Sequence, residues 1–189
     1  MNREYYLSVI KNRMGERRYI HSVNVAKSAV LLAQKYNEDA EKAELAGILH
    51  DSCKEIDKSE MLQIITDGGI ILDDTEKTTP KLWHAIAGSV YARDVLGIDD
   101  EDVFNAIRYH TTGRANMSML EKIIFTADFI GEERNYNGVE IMREKAFTDI
   151  EDAMLFGLQF TISDLAKRAL PIHPNALACY NEITMKKDS

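Results

Sequence analysis

The sequence has little that would cross-link or punctuate a chain. It holds two cysteines, three prolines and one tryptophan in 189 residues. Cys53 and Cys179 form no C-x-x-C pair, which excludes a zinc knuckle and a thioredoxin-like motif. Two thiols in a chain this long fit a reducing compartment. Cys53 is also readable as a nucleophile, provided a base stands beside it. No run reaches the ~20 apolar residues of a membrane span. Met1 to Arg18 is full of charges and lacks the apolar stretch of a signal peptide. The expected location is the cytoplasm, with no membrane partner. Basic residues are also short: 23 against 31 acids leave a net charge of −8. That balance disfavours a general nucleic-acid binder.

What is present is ordinary for a globular protein, with 45% hydrophobic and 29% charged residues. Helical periodicity dominates. Only Gly69-Ile70-Ile71-Leu72 hints at a strand. Residues 17–36 read as a helix with the small residues Ser22, Ala26, Ala29 and Ala33 along one face. A second helix, 39–49, carries Ala43, Ala46 and Gly47 on one face, and one more turn reaches His50. Residues 57–67 read as helix and 73–78 as loop. Thr79-Pro80 reads as a helix start, with the helix running to Leu96 and stopping at Gly97. Asp99 to Asp102 suit the start of a helix that ends at His110. Ser118 with Glu121, and Thr148 with Glu151, have capping-box spacing. The expectation is an all-α bundle of roughly eight to ten helices in a single domain over 1–189. Its metal-binding core lies at about 18–130, and helices over 138–186 complete the fold.

Five histidines carry the chemistry. His50-Asp51 ends an apolar helix, and His21 stands on the helix before it. His84 lies in the first turn after Pro80, and His110 ends a helix before Thr111-Thr112-Gly113. Asp128 sits inside the apolar run Ile123 to Ala127. A buried aspartate is costly unless it is paired or binds a metal. Singly, each has a plain structural explanation; Asp128 could pair with Arg93 or Arg108. Together His21, His50, Asp51, His84, His110 and Asp128 offer enough nitrogen and oxygen ligands for two metal ions, with Asp51 bridging. That donor set suits iron, manganese or zinc better than it suits a closed structural zinc site.

The ordered pattern H…HD…D resembles the HD-domain metal-dependent phosphohydrolases. Further segments resemble the bacterial YqeK family of HD hydrolases. They are R-x-x-H-S-x-x-V-A at Arg18 to Ala26, A-G-I-L-H-D-x-x-K at Ala46 to Lys54, and W-H-A-x-x-G at Trp83 to Gly88. Then come A-I-R-Y-H-T-T-G at Ala106 to Gly113, A-D-F-I at Ala127 to Ile130 and I-H-P-N at Ile172 to Asn175. Gly131-Glu132-Glu133-Arg134 departs from the Pro-Gly-Arg character of that family but keeps Arg134.

The resemblance implies an enzyme that cuts diadenosine tetraphosphate symmetrically into two ADP at a di-iron centre. It implies that His21, His50, Asp51 and Asp128 hold one metal, and that Asp51 bridges to a second held by His84 and His110. Iron is the first expectation; manganese, cobalt and zinc are alternatives. Two such ions can supply a hydroxide and clamp the phosphoryl oxygens of an in-line displacement. Asp51, Lys54 and Arg134 are the catalytic candidates. Arg18, His84, Tyr109, Thr111, Thr112, Gly113, Arg134 and His173 are the substrate-binding candidates. Arg17, Lys81 and Arg114 read as surface. The partner is a small nucleotide, not a nucleic acid, with ADP or GDP as product; a homodimer stays open. The alternatives are another HD nucleotide phosphohydrolase, acting on nucleoside monophosphates or on NAD-related or guanine nucleotides, and a non-catalytic nucleotide sensor.

Overall fold

The computed structural model describes residues 1–187. Among them every regular element is helical. The eleven α-helices are α1 (Arg3–Lys11), α2 (Glu16–Tyr36), α3 (Ala40–Leu49), α4 (Lys58–Asp67), α5 (Asp74–Thr78), α6 (Trp83–Val90), α7 (Glu101–Tyr109), α8 (Met119–Ile130), α9 (Val139–Thr148), α10 (Ile150–Lys167) and α11 (Pro174–Lys187). The number exceeds the expected eight to ten, while the class is as expected.

The centre of the fold is α2 packed on α3 and α8, with α7 closing the remaining side. Asn37 ends α2 in the left-handed region at φ 56°. The Asp39 side chain then accepts from the N–H groups of Glu41 and Lys42, which starts α3. The small faces read from the sequence are what meet. Ala26, Ala29 and Ala33 of α2 and Ala43 and Ala46 of α3 are buried, all at 2% exposure or less. At the crossing, a Cβ on Gly47 would stand 2.7 Å from the Ala26 Cα and 3.0 Å from its backbone nitrogen. Two backbones touch there, and only glycine leaves room. Leu32, Ile48, Leu49, Ile107, Leu120, Ile123 and Ile124 fill the space around them. Full burial of each such side chain contributes ~1.5–3 kcal/mol. A second apolar cluster joins Phe125 of α8 to Met154 and Leu158 of α10 and to Cys179 and Ile183 of α11. A third joins Cys53, Met61, Ile65, Trp83 and Ile86 beneath α4 and α6.

Several expected details change. Residues 73–78 are not a loop: Asp73 and Glu76 form a reciprocal capping box that starts α5. The Trp83 indole donates to the Glu76 carbonyl at 2.7 Å and fixes that turn against α6. The helix expected over 80–96 divides into a 3₁₀ turn (Pro80–Leu82), α6 and a π turn (Tyr91–Val95). The helix that holds Glu151, α10, is capped by Asp149, not Thr148, whose hydroxyl donates to the Glu144 carbonyl. Gly69 to Leu72 pairs with no strand among the described residues. Ile70 and Leu72 pack on the third cluster, while Ile71 is 91% exposed.

Candidate metal centre

The histidines and aspartates of the sequence pattern meet between α2, the end of α3, α6, α7 and α8. His50 is the residue that ends α3, and Asp51 follows it in the turn. His84 lies in the first turn of α6, and His110 ends α7. The rings form a chain, with centroids 5.2 Å apart for His21 and His50, 4.9 Å for His50 and His110, and 5.2 Å for His84 and His110.

Each ring is oriented by its outer nitrogen. The Nδ1 atoms of His50, His84 and His110 lie 2.7 Å from the carbonyls of Gly47, Lys81 and Ile107, each three residues earlier. A carbonyl only accepts, so Nδ1 carries the proton and Nε2 presents a lone pair. His21 lies mid-helix and meets a carboxylate instead: its Nδ1 is 2.5 Å from Glu133 Oε1. All four Nε2 atoms turn inward. Those of His21 and His50 are 3.3 Å apart, and so are those of His84 and His110.

Asp51 stands between the two pairs. Its Oδ2 lies 3.7 Å from His21 Nε2 and 3.5 Å from His50 Nε2. Its Oδ1 lies 3.2 Å from His84 Nε2 and 3.7 Å from His110 Nε2. Asp128 Oδ1 joins the first pair, 3.0 Å from His21 and 3.9 Å from His50. Asp128 is less enclosed than its apolar run suggested, with 20% of its side chain exposed. It pairs with Arg134, and not with the Arg93 or Arg108 alternatives. Arg134 Nε also donates to the Asp128 carbonyl at 2.7 Å.

The electrostatics favour cation binding. Burial alone would raise both carboxyls. Both nevertheless stay well below the usual carboxylate range, and at Asp128 the Arg134 guanidinium contributes to that. Burial lowers His84 to about 4 against the pull of Asp51, so its ring is neutral at pH 7. The rings thus turn Nε2 lone pairs toward a buried aspartate whose Oδ1 has no hydrogen-bond donor; Lys54 stands by the nitrogen of His84 and Arg134 by that of His21. A buried acceptor left so is costly. Divalent cations bound by these nitrogens and oxygens would remove the conflict, so the donor set fits the expected metals.

Basic groups ring the centre. Arg18 Nη1 donates to Asp51 Oδ2 at 2.7 Å. Lys54 Nζ lies 2.9 Å from His84 Nε2 and 3.8 Å from Asp51 Oδ1. Burial pulls its pKa down, while Asp51 and Asp128 pull it up. Beside His21 opens a cavity of about 530 Å³, lined by Arg18 and Arg134. Arg17, Glu133, Asn135 and Tyr136 line it too. Arg17 is exposed, as expected of a surface residue, and borders the cavity from there, while the other three carried no sequence signal. Burial raises the Tyr136 phenol, and its hydroxyl is buried without a partner. Tyr109, Thr111, Thr112 and His173 line a different, water-sized cavity. There Tyr109 lies beneath Arg114, which pairs with Glu121, and His173 faces Asp73 and Glu76. Gly113 is at φ 65°, a left-handed turn that lies against Cys179 and Met117.

Cys53 has no surface exposure, and burial raises its thiol. It packs among Met61, Ile65 and Trp83, with Arg13 as its polar neighbour, so the nucleophile reading finds no base. Burial pushes the Cys179 thiol up to about 11. Both thiols should react with Ellman's reagent only after denaturant unfolds the chain. Rapid labelling of either in the native protein would contradict that burial.

Comparison with known proteins follows the same lines. The model of the HD domain family matches residues 18–153, which span every inward-facing ligand. The chain belongs to the HD-domain family. A relative from Halalkalibacterium halodurans, named a symmetrical bis(5'-nucleosyl)-tetraphosphatase, is 44% identical over 99% of this chain and 100% of its own. A Bacillus subtilis protein of the same name is 40% identical over 96% of this chain and 97% of its own. Among solved structures, one from Clostridium acetobutylicum superposes with a TM-score of 0.95 at 40% identity, covering 98% of both chains. It is described as a "predicted HD superfamily hydrolase involved in NAD metabolism". Among the described residues no helix is long and apolar enough to cross a membrane.

Proposed function

We propose that the protein is a metal-dependent hydrolase that cleaves diadenosine tetraphosphate symmetrically into two ADP. The observation that carries this reading is the division of Asp51. One oxygen faces His21 and His50, the other faces His84 and His110, and a cavity rimmed by arginines opens alongside. The names of the relatives from H. halodurans and B. subtilis supply the substrate.

His21, His50, Asp51 and Asp128 would hold one divalent ion; His84, His110 and the other Asp51 oxygen would hold a second. Iron is our first choice, with manganese, cobalt and zinc compatible with the same donors. Such ions, when bound, supply Lewis acidity toward phosphoryl oxygens and lower the pKa of water. The remaining work falls to the chain. Arg17, Arg18 and Arg134 draw the polyphosphate into the cavity and orient it beside Asp51 and Asp128. Water adds to a phosphorus next to the central bridging oxygen and gives up a proton to solvent, the bond from that phosphorus to the bridge breaks, and its electron pair leaves on the bridging oxygen with the second ADP as an anion. A phosphate leaving group needs positive charge more than it needs an acid, and Lys54 and Arg134 stand close enough to give it. This local positive charge, with that of the metals, answers the objection that an acidic protein would repel a polyphosphate.

The wording of the C. acetobutylicum relative favours a second reading, an HD phosphohydrolase acting on an NAD-related nucleotide. One assay separates the two. Protein loaded with iron, manganese or cobalt is incubated with diadenosine tetraphosphate, and the products are resolved by ion-exchange chromatography. Two ADP are expected. AMP with ATP would mean asymmetric cleavage, and no turnover with any of the three metals would overturn the proposal.

A further inference from the structure

His21 differs from the other three ring ligands in what holds it. His50, His84 and His110 each donate Nδ1–H to a neutral backbone carbonyl. His21 donates to Glu133, and Asn24 clamps the other carboxylate oxygen, its Nδ2 donating to Glu133 Oε2 at 2.8 Å. A carboxylate withdraws more of the proton than a carbonyl does, so it leaves more electron density on the opposite ring nitrogen. That nitrogen, Nε2, faces Asp51 Oδ2 and Asp128 Oδ1.

The place that Glu133 occupies depends on a second residue. A Cβ on Gly131 would stand 2.8 and 2.9 Å from the two Glu133 carboxylate oxygens. Gly131 has φ −43° and ψ 148°, a negative φ outside the left-handed region that favours glycine. The space a Cβ would take is filled by the Glu133 carboxylate, the far end of a flexible side chain, so an alanine here would push that carboxylate out of its seat rather than break the fold.

We infer that Glu133, seated in the gap over Gly131, is a positioning residue that fixes the His21 tautomer and makes the ion position at His21, His50 and Asp128 the tighter of the two. The inference rests on the metal-site reading above. Glu133 reaches the ion through His21, and its other charged neighbour, Arg134 at 3.9 Å, pairs with Asp128 of the same ion position, so its loss should weaken one ion position and spare the other.

The test is manganese binding to wild type, Glu133→Gln and Gly131→Ala, followed by the electron paramagnetic resonance signal of free Mn²⁺. Wild type should bind two ions. Each variant should weaken one of them about 10–100-fold, the usual effect of removing an outer-shell partner, and leave the other unchanged. Zinc-loaded protein gives a second readout. The His21 Nδ1 proton, identified by its loss in His21→Gln, should lie furthest downfield in wild type and move upfield in both variants. Gly131→Ala keeps the carboxylate in the chain, so it carries the test alone if Glu133→Gln does not fold. Unchanged affinity in either folded variant, or equal weakening of both ions, would overturn the inference while leaving the metal site standing. A wild type that binds no manganese would remove the metal-site reading, and this inference with it.

Discussion

Asp51→Asn is expected to lose more than about 100-fold in turnover of diadenosine tetraphosphate and to bind fewer than two metal ions. Removing an outer-shell partner of a metal ligand already costs about 10–100-fold, and Asp51 lies inside that shell. Its two oxygens face different histidine pairs. An asparagine keeps one oxygen and turns the other into an NH₂ group, which cannot ligate. Whichever way the amide turns, one pair of imidazoles loses its carboxylate. Rotation of the amide cannot repair this, because the side chain is 3% exposed and enclosed by rings on both sides. The measurements are steady-state kinetics with saturating manganese and metal analysis after gel filtration. Full activity with two retained ions would end the bridging role.

Gly47→Ala is expected to destabilise the fold by ~2 kcal/mol, although alanine is the better helix former. Inside a helix the exchange gains ~1 kcal/mol in propensity. Against this, overpacking a tight core costs up to ~3 kcal/mol. The upper end applies because the atoms met at 2.7 and 3.0 Å belong to the Ala26 backbone, which cannot rotate away. For a chain of this size the net loss lowers Tm by about 4–8 °C, read by circular dichroism or calorimetry. Gly88→Ala is the control, since its Cβ would meet Ile107, Ser52 and His50 at no less than 3.4 Å. A wild-type Tm in Gly47→Ala would mean that the α2–α3 crossing is looser than described.

Much of the candidate metal centre was legible because its histidines sit at positions that sequence rules locate. His50 ends an apolar helix, His110 ends an amphipathic one, and His84 follows Pro80 closely. The small faces of α2 and α3 gave their packing. What escaped detection had no periodic signal. Glu133 and Tyr136 lie in the irregular stretch after α8, and Glu133 meets His21 across 112 residues. Arg17 sits one position from Arg18 on a helix, and nothing local tells that both border one cavity. Helix α5 is five residues long, too short for a period, although its Asp73-x-x-Glu76 cap was readable. The division of 80–96 into three kinds of turn was not readable, because three to five residues cannot distinguish a period of 3.0 from one of 3.6.

The wide spacing of the ligands also sets an order of assembly. His21 leaves the ribosome long before Asp128, and its orienting carboxylate emerges later still. Closing a loop of 112 residues costs more conformational entropy than forming any single helix contact, and that cost must be met before the contact contributes. A chain interrupted before α8 holds four histidines and Asp51 but neither Asp128 nor Glu133. The complete ion site thus exists only once α8 has packed against α2 and α3.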